Sequence, residues 1–369
     1  RANDGECEAL TNLDGRTKSR ILPLFEIGPI TDSIRERQYM LRSATPTVTH
    51  LNRTLAKVVD AWHGRVTMID CYQWTADART ENGIHVMAHA TRFLRAQGVP
   101  VMPVIGYDRW ENNDYQAGLR SVAGHNGTEF CLRLDSIAIE DSLDPDHFIE
   151  VVNDIVETLE LNPADCSVII DFGDVSSSAT SVGEMIERIQ SIIDMLDDFG
   201  FGYFVLSGCS LPGTINQAVG DTDAEGLLIR KECLAWKSLR EEVGETLVSG
   251  DYGVRGPTTT EVRSKYTNGK IRYTIEGEIF IVRGHAFRND GNFSQLAGLC
   301  DTLVNSVHYL GPTYSWGDSE VEACRLGGRT GNLSHWIAID TNHHITFVVK
   351  EVEEFVRVIV GAEEERLDT

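Results

Sequence analysis

The sequence predicts an α/β protein built on a parallel (β/α)8 TIM-like barrel, and three observations carry that prediction. Short apolar runs alternate with segments of helical spacing from Ile21 to Gly253. Several runs are apolar on both faces, as parallel strands covered by helices must be, because water reaches neither side. At 369 residues, 41% of them apolar, the chain can bury a core of that size. An open doubly wound sheet is the alternative that the same alternation permits.

The strands are read in order at ILPLFEI, VTMID, VPVMPVIG, EFCLRL, CSVIIDFG, YFVLSG and TLVSGDYG. Seven are one short of a closed ring. Gly5 to Leu13 reads as a brief helix, so the missing first strand is expected just upstream of Arg1. Helices are expected at HVMAHATRFLRAQG, DPDHFIEVVNDIVETLEL, VGEMIERIQSIIDMLDDFG and LLIRKECLAWKSLREEVG, several with a capping residue before and glycine after. Beyond Tyr252 the rhythm changes. KIRYTIEGEIFIVRG reads as a hairpin turning at Glu276-Gly277, followed by a helix from Asn292 to Ser306, the SWGD tetrad and the loop LGGRTGN. A final helix is expected from Asn342, its N-cap, with Ile345, Val348, Val349, Val352, Phe355, Val356 and Ile359 inward and Glu351, Glu353, Glu354 and Arg357 outward. The whole is read as a single barrel domain, 1–369: main β/α repeats over 1–256, a hairpin, helix and loop insertion at the barrel mouth over 257–341, and a closing helix over 342–369.

Charge narrows the partners. With 33 basic against 56 acidic residues the net charge is −23, which repels a phosphate backbone and disfavours direct nucleic-acid binding. A basic protein partner in a hetero-complex, or one small anionic ligand held by local arginines, is expected instead. The eight cysteines are scattered without a CxxC pair, which suits reduced thiols and a cytoplasmic setting. No run approaches the roughly 20 apolar residues that a membrane helix needs.

Functional groups of parallel barrels lie at the C-terminal ends of the strands. There the sequence places Glu26, Asp70, Asp108, Asp171 and Asp251. Such hard oxygen donors suit Mg²⁺ or Mn²⁺, and Glu26, Asp70, Asp171 and Asp251 are the expected metal ligands. Helix capping by the same carboxylates is the alternative. Arg109, Arg133, Arg230 and Arg283 accompany them; an arginine inside an apolar strand, as Arg133 is in CLRL, needs either a carboxylate or an anionic ligand. His343 and His344, read as the first turn of the last helix, would be neutral imidazoles able to ligate a metal or take a proton, with Asp318 as a distant co-ligand. SGCS and SGDYG lack the GxSxG form of a serine elbow, and LGGRTGN lacks the context of a P-loop.

The order GECEAL, PLFEI, VPVMPVIG, LRL, IIDFG, VLSGCSLP, IRKECLAW, GDYG, IRYT, FIVRG, SWGD and W-x5-NHH-x-T, from Gly5 to Val349, resembles the phage-type beta protein family of phages and bacteria. Cys7 departs from it where an aromatic is frequent. The resemblance implies an accessory or effector role in phage–bacterium conflict. It also implies a strand before the GECEAL helix and recurrent positions at Glu26, Arg133, Asp171, Asp251, Tyr252, Tyr273, Arg283, Trp316, Asp318, Asn342, His343 and His344. Arg133, Arg230, Tyr252, Tyr273, Arg283, Trp316 and Asp318 are therefore the expected ligand-binding set. The enzymatic alternative is a divalent-metal-dependent hydrolase of a phosphate ester or nucleotide, with Asp171, Asp251, His343 and His344 catalytic. A purely structural interaction module is the third reading.

Overall fold

The computed structural model describes residues 1–369 except 124–128, 258, 260–266, 290–293 and 368–369, and the backbone alone of 289 and 362–367. All seven runs read as barrel strands are strands: β1 (Leu24–Glu26), β2 (Thr67–Asp70), β3 (Val101–Gly106), β4 (Cys131–Leu134), β5 (Ser167–Asp174), β6 (Tyr203–Cys209) and, after β7 (Ala224–Ile229), β8 (Leu247–Ser249). The hairpin is formed by β9 (Asn268–Ile275) and β10 (Glu278–Ala286). One seven-stranded sheet has the order β1-β2-β3-β4-β5-β6-β8, and a second is ordered β7-β10-β9. From β1 to β5 the pairs are parallel, Glu26 opposite Asp70 and Arg133 opposite Ile169, so that successive carboxyl-bearing ends share one rim. The fold is therefore α/β on a parallel sheet; no eighth strand of that sheet occurs among the described residues.

The chain forms two compact units. The first comprises 1–7, 22–171 and 188–205; the second comprises 8–21, 172–187 and 206–369. In the first, Met68, Met102, Val104, Cys131 and Ile169 pack into a core cluster, the inward residues of β2 to β5. In the second, the antiparallel sheet is covered on one face by the helices Gln295–Val304 and Trp316–Arg325, through Ile271, Tyr273, Phe280, Leu299, Leu303 and Val321. No helix among the described residues is long and apolar enough to cross a membrane.

Four local expectations are corrected. Leu227 to Ile229 belong to β7, not to the helix that follows; AEGLLI alternates in exposure and pairs with β10, and the helix starts at Lys231. The last helix runs Leu333–Leu367 and does not begin at Asn342. Its cap is Asn332, whose Oδ1 accepts from the Ser334 and His335 amides at 2.9 and 3.1 Å, and no glycine or proline interrupts the chain from there to Asn342. The Asn342 side chain instead bridges Gly317 N and Ala9 O, 3.0 Å each. Both histidines thus sit in the helix interior, away from its positive end. Glu351, expected outward, is buried, because Arg230 is buried beside it and needs a counter-charge. The two-residue turn at Glu276-Gly277 is as read, with Gly277 at φ 65° supplying the left-handed conformation. The helix expected from Asn292 starts at Gln295, and Asn292 itself lies outside the described residues.

Candidate functional site

The first unit gathers its charges at the C-terminal ends of β1 to β5. Arg133, in the third position of β4 and only 4% exposed, is the centre. Its Nε donates to Asp171 Oδ2 at 2.8 Å and its Nη1 to Asp70 Oδ2 at 2.9 Å and Glu26 Oε1 at 3.1 Å, while Nη2 lies 2.6 Å from Asp171 Oδ2. Four strands that are distant in sequence meet on one planar cation, which offers five donors in a fixed fork.

Asp70, fully buried, bridges to a second guanidinium, since Arg109 Nη1 donates to its Oδ1 at 2.9 Å. Burial alone would raise its pKa, but the Arg109 and Arg133 charges outweigh burial and hold the carboxyl below its ordinary value. Arg109 Nε reaches Asp108 Oδ1 at 3.1 Å, and the fork lies against Gly106 so closely that a Cβ there would fall 2.0 Å from Nη2. Glycine at the end of β3 is therefore what lets Arg109 fold back to Asp70. Tyr72, 38% exposed, covers both forks, its ring 4.6 Å from the Arg133 Cζ and 5.6 Å from that of Arg109.

Two carboxylates of this rim are not neutralised in the same way. Asp108 takes one bond from Arg109, and Asp135 caps the helix Ser136–Asp141 through Ala138 N. Both pKa values are raised, first by burial, with Asp70 repelling Asp108 and Asp108 repelling Asp135. The expected ligands Glu26, Asp70 and Asp171 all direct oxygens at Arg133, and among the described residues no group of three or more His, Cys, Asp or Glu is placed to hold a metal ion.

The second unit contains the histidines. Asp318, fully buried, accepts from Tyr273 Oη at 2.7 Å, Ser315 Oγ at 2.6 Å and His343 Nδ1 at 2.9 Å. His343 Nε2 faces the Thr274 carbonyl at 2.9 Å, and the ring stacks on Tyr273 with centroids 3.7 Å apart. Both ring nitrogens are thus taken up by protein oxygens, and neither is open to a metal ion. The SWGD tetrad builds this node. Ser315 caps the helix Trp316–Arg325, and a Cβ on Gly317 would lie 2.4 Å from the Ile339 carbonyl, so only glycine permits the helix approach that brings Asp318 to His343. Trp316 packs into the neighbouring core, its ring edge-on to His335.

His344 makes a different relay. Its Nε2 is 2.8 Å from Asp251 Oδ2, and its Nδ1 is 2.7 Å from the Thr274 hydroxyl. Asp251 keeps 22% of its side chain exposed. Burial opposes its charge, but His344 and the Gly253 amide pull its pKa down to about 2. Nearby, Glu232 is raised to about 6, chiefly by burial and against a 2.5 Å bond from Ser210 Oγ. Arg230 pairs with Glu351, whose Oε1 also accepts from Gly277 N and Lys237 Nζ. Arg283 Nη1 binds the carbonyls of Val219 and Gly220, 2.6 Å each. Tyr252 packs against the cluster of Cys209, Leu211 and Val254.

Within its own unit each set is gathered: Glu26, Asp70, Arg109, Arg133 and Asp171 in the first, Asp251 with His344, and Tyr273, Asp318 and His343, in the second. The family model described as Beta protein matches residues 1–350. The chain belongs to the Beta protein family. Among curated proteins, none matches it significantly. The segment shared with the Beta protein family holds the whole Arg133 rim and both histidines, and stops one residue before Glu351.

Sequence reasoning missed Tyr72, Asp135, Glu232, Lys270, Arg272 and Asp340. The criterion that found Arg133, a cation inside an apolar strand, also applies to Arg272 in IRYT; its Nε donates to Asp340 Oδ2 at 2.8 Å. Nothing in the sequence alone marks Glu232, whose burial follows from how its helix packs.

Proposed function

We propose that this Beta protein is a non-catalytic accessory component of phage–bacterium conflict whose first-unit rim receives a basic group of a protein partner. One observation carries the reading. The rim sets five carboxylates, Glu26, Asp70, Asp108, Asp135 and Asp171, around two guanidiniums whose forks are already engaged with Glu26, Asp70, Asp108 and Asp171. A lysine or arginine brought beneath Tyr72 would offset the charge left on Asp108 and Asp135, whereas for an anion the unpartnered Arg109 Nη2 is buried against Gly106 and the other donors named are engaged by carboxylates. The chain's net charge of −23 steers the same class of partner. The eight cysteines, all free and buried, fit work in a reducing cytoplasm. The eight-stranded ring implied by the β/α alternation remains part of this reading, supported by the parallel register of β1 to β5 and their common rim.

The test is titration of a lysine- and arginine-rich peptide into the full chain by calorimetry. Asp108→Asn with Asp135→Asn should weaken binding about tenfold, or about 1.4 kcal/mol, while Glu353→Gln with Glu354→Gln on the last helix should change it little. Equal weakening by both pairs would mean that the peptide follows net charge alone, and the rim reading fails.

A further inference from the structure

The antiparallel sheet carries the opposite charge balance on one face. Lys270 on β9 lies directly across from Arg283 on β10, and Arg272 follows two residues along β9 on the same side. Side chains directly opposite in an antiparallel pair are about 5 Å apart, and like charges there repel. Arg272 and Arg255 act on Lys270 as like charges, and Asp340 does the reverse.

Asp340 does not suffice for three cations. Its Oδ2 is taken by Arg272 Nε, and its Oδ1 is buried without a partner. Arg272 turns Nη1 to the Val254 carbonyl, and Arg283 turns Nη1 to two carbonyls while its Nε, also buried, has none. Among the described residues the Lys270 ammonium makes no hydrogen bond or ion pair. Lys270 is half-buried where Arg272 and Arg283 are buried, so the row opens to solvent at its lysine end. Crowding shows in its titration: burial first, then Arg272 and Arg255, lower the lysine pKa to about 8.

We propose that Lys270, Arg272 and Arg283 form a binding site for an oxyanion with two negative charges, of the phosphate-monoester or sulfate class, entering beside Lys270. The arginines supply guanidiniums fixed by backbone carbonyls and, for Arg272, by Asp340, and the lysine supplies the mobile charge. This site is separate in residues and in charge from the acidic rim, so either can fail alone.

The experiment uses the full chain, with sodium sulfate titrated against sodium chloride at equal ionic strength while the melting temperature is followed. The wild type should gain stability saturably with sulfate. Lys270→Met, relieved of like-charge crowding, should melt higher without sulfate and gain nothing from it. An equal sulfate gain in both proteins overturns the site, because it is then the general exclusion effect of the salt. Should the variant not fold, calorimetry of sulfate on the wild type decides. Sulfate does not titrate between pH 7 and 9, so a lysine of pKa about 8 predicts binding about tenfold weaker at pH 9. Undiminished affinity at pH 9, or no measurable binding at pH 7, also overturns it.

Discussion

The two units solve the burial of charge in opposite ways. In the first, acids from several strands converge on arginines from β4 and from just beyond β3, and every guanidinium nitrogen of Arg133 is used. In the second, single acids serve their own partners: Asp318 for His343, Asp251 for His344, Asp340 for Arg272, and Glu351 for Arg230 with Lys237. A shared cation ties the ends of β1, β2, β4 and β5 into one node, so losing it exposes all of its partners together. Private pairs fail one at a time. The difference also separates the two proposed binding sites. The converged node leaves an acid excess, while the distributed pairs leave Lys270 without a partner among the described residues.

The largest test of this contrast is Arg133→Met. It should cost about 3–5 kcal/mol in urea denaturation, since Glu26 and Asp171 lose their cation in a buried setting and Asp70 keeps only Arg109. Asp70 has a depressed folded pKa, so its stabilising contribution is full above the unfolded value of about 4 and is lost as pH falls through the folded one. The variant should therefore show a weaker decline in stability between pH 5 and pH 2, by part of that group's contribution, because Arg109 still holds Asp70. A cost below about 1 kcal/mol would show that the rim charges are not mutually dependent.

Next in size is Asp318→Asn, which removes the negative charge from the node and leaves one acceptor oxygen where Tyr273 and Ser315 each use a separate one. A loss of about 3 kcal/mol is expected. A double-mutant cycle with His343→Gln should recover part of it; strict additivity would deny the buried pair.

Glu232→Gln goes the other way. Its folded pKa of about 6 lies above the unfolded value, so the folded state holds its proton more tightly and stability falls as pH rises from about 4 to about 6. Above that window the charged acid costs about 2 kcal/mol, and glutamine should return it at pH 7 and flatten the slope between those values. An unchanged pH profile would place the titration elsewhere.

The smallest expected effect is none. Mg²⁺ or Mn²⁺ should leave the wild-type melting temperature unchanged at constant ionic strength, because Glu26, Asp70 and Asp171 already bind Arg133. A rise that grows with the logarithm of metal concentration would favour the divalent-ion hydrolase instead.

How much of this was legible beforehand differs by element. The seven parallel-sheet strands and the Glu276-Gly277 turn were readable because each depends on local pattern: runs apolar on both faces, and a left-handed glycine between two strands. Asn342 misled because its residue type favours caps, whereas here its amide is spent on Gly317 and Ala9. Leu227 to Ile229 misled because a short apolar run fits a helix or a strand equally until a partner strand is known. Glu351 misled because amphipathic periodicity assigns acids to water, and only the position of Arg230 overrides it.

By itself the sequence determined which residue types stand at the ends of the strands, and that an arginine within CLRL would need an anionic partner. Only the tertiary structure decided that Glu26, Asp70 and Asp171 are that partner together, that both nitrogens of His343 are occupied, and that Lys270 faces Arg283. The physical reason is range. Strand and turn preferences act over a few neighbouring residues, whereas the pairing of charges is fixed by contacts between segments as far apart as Glu26 and Arg133, whose energy exists only once water has been excluded from between them.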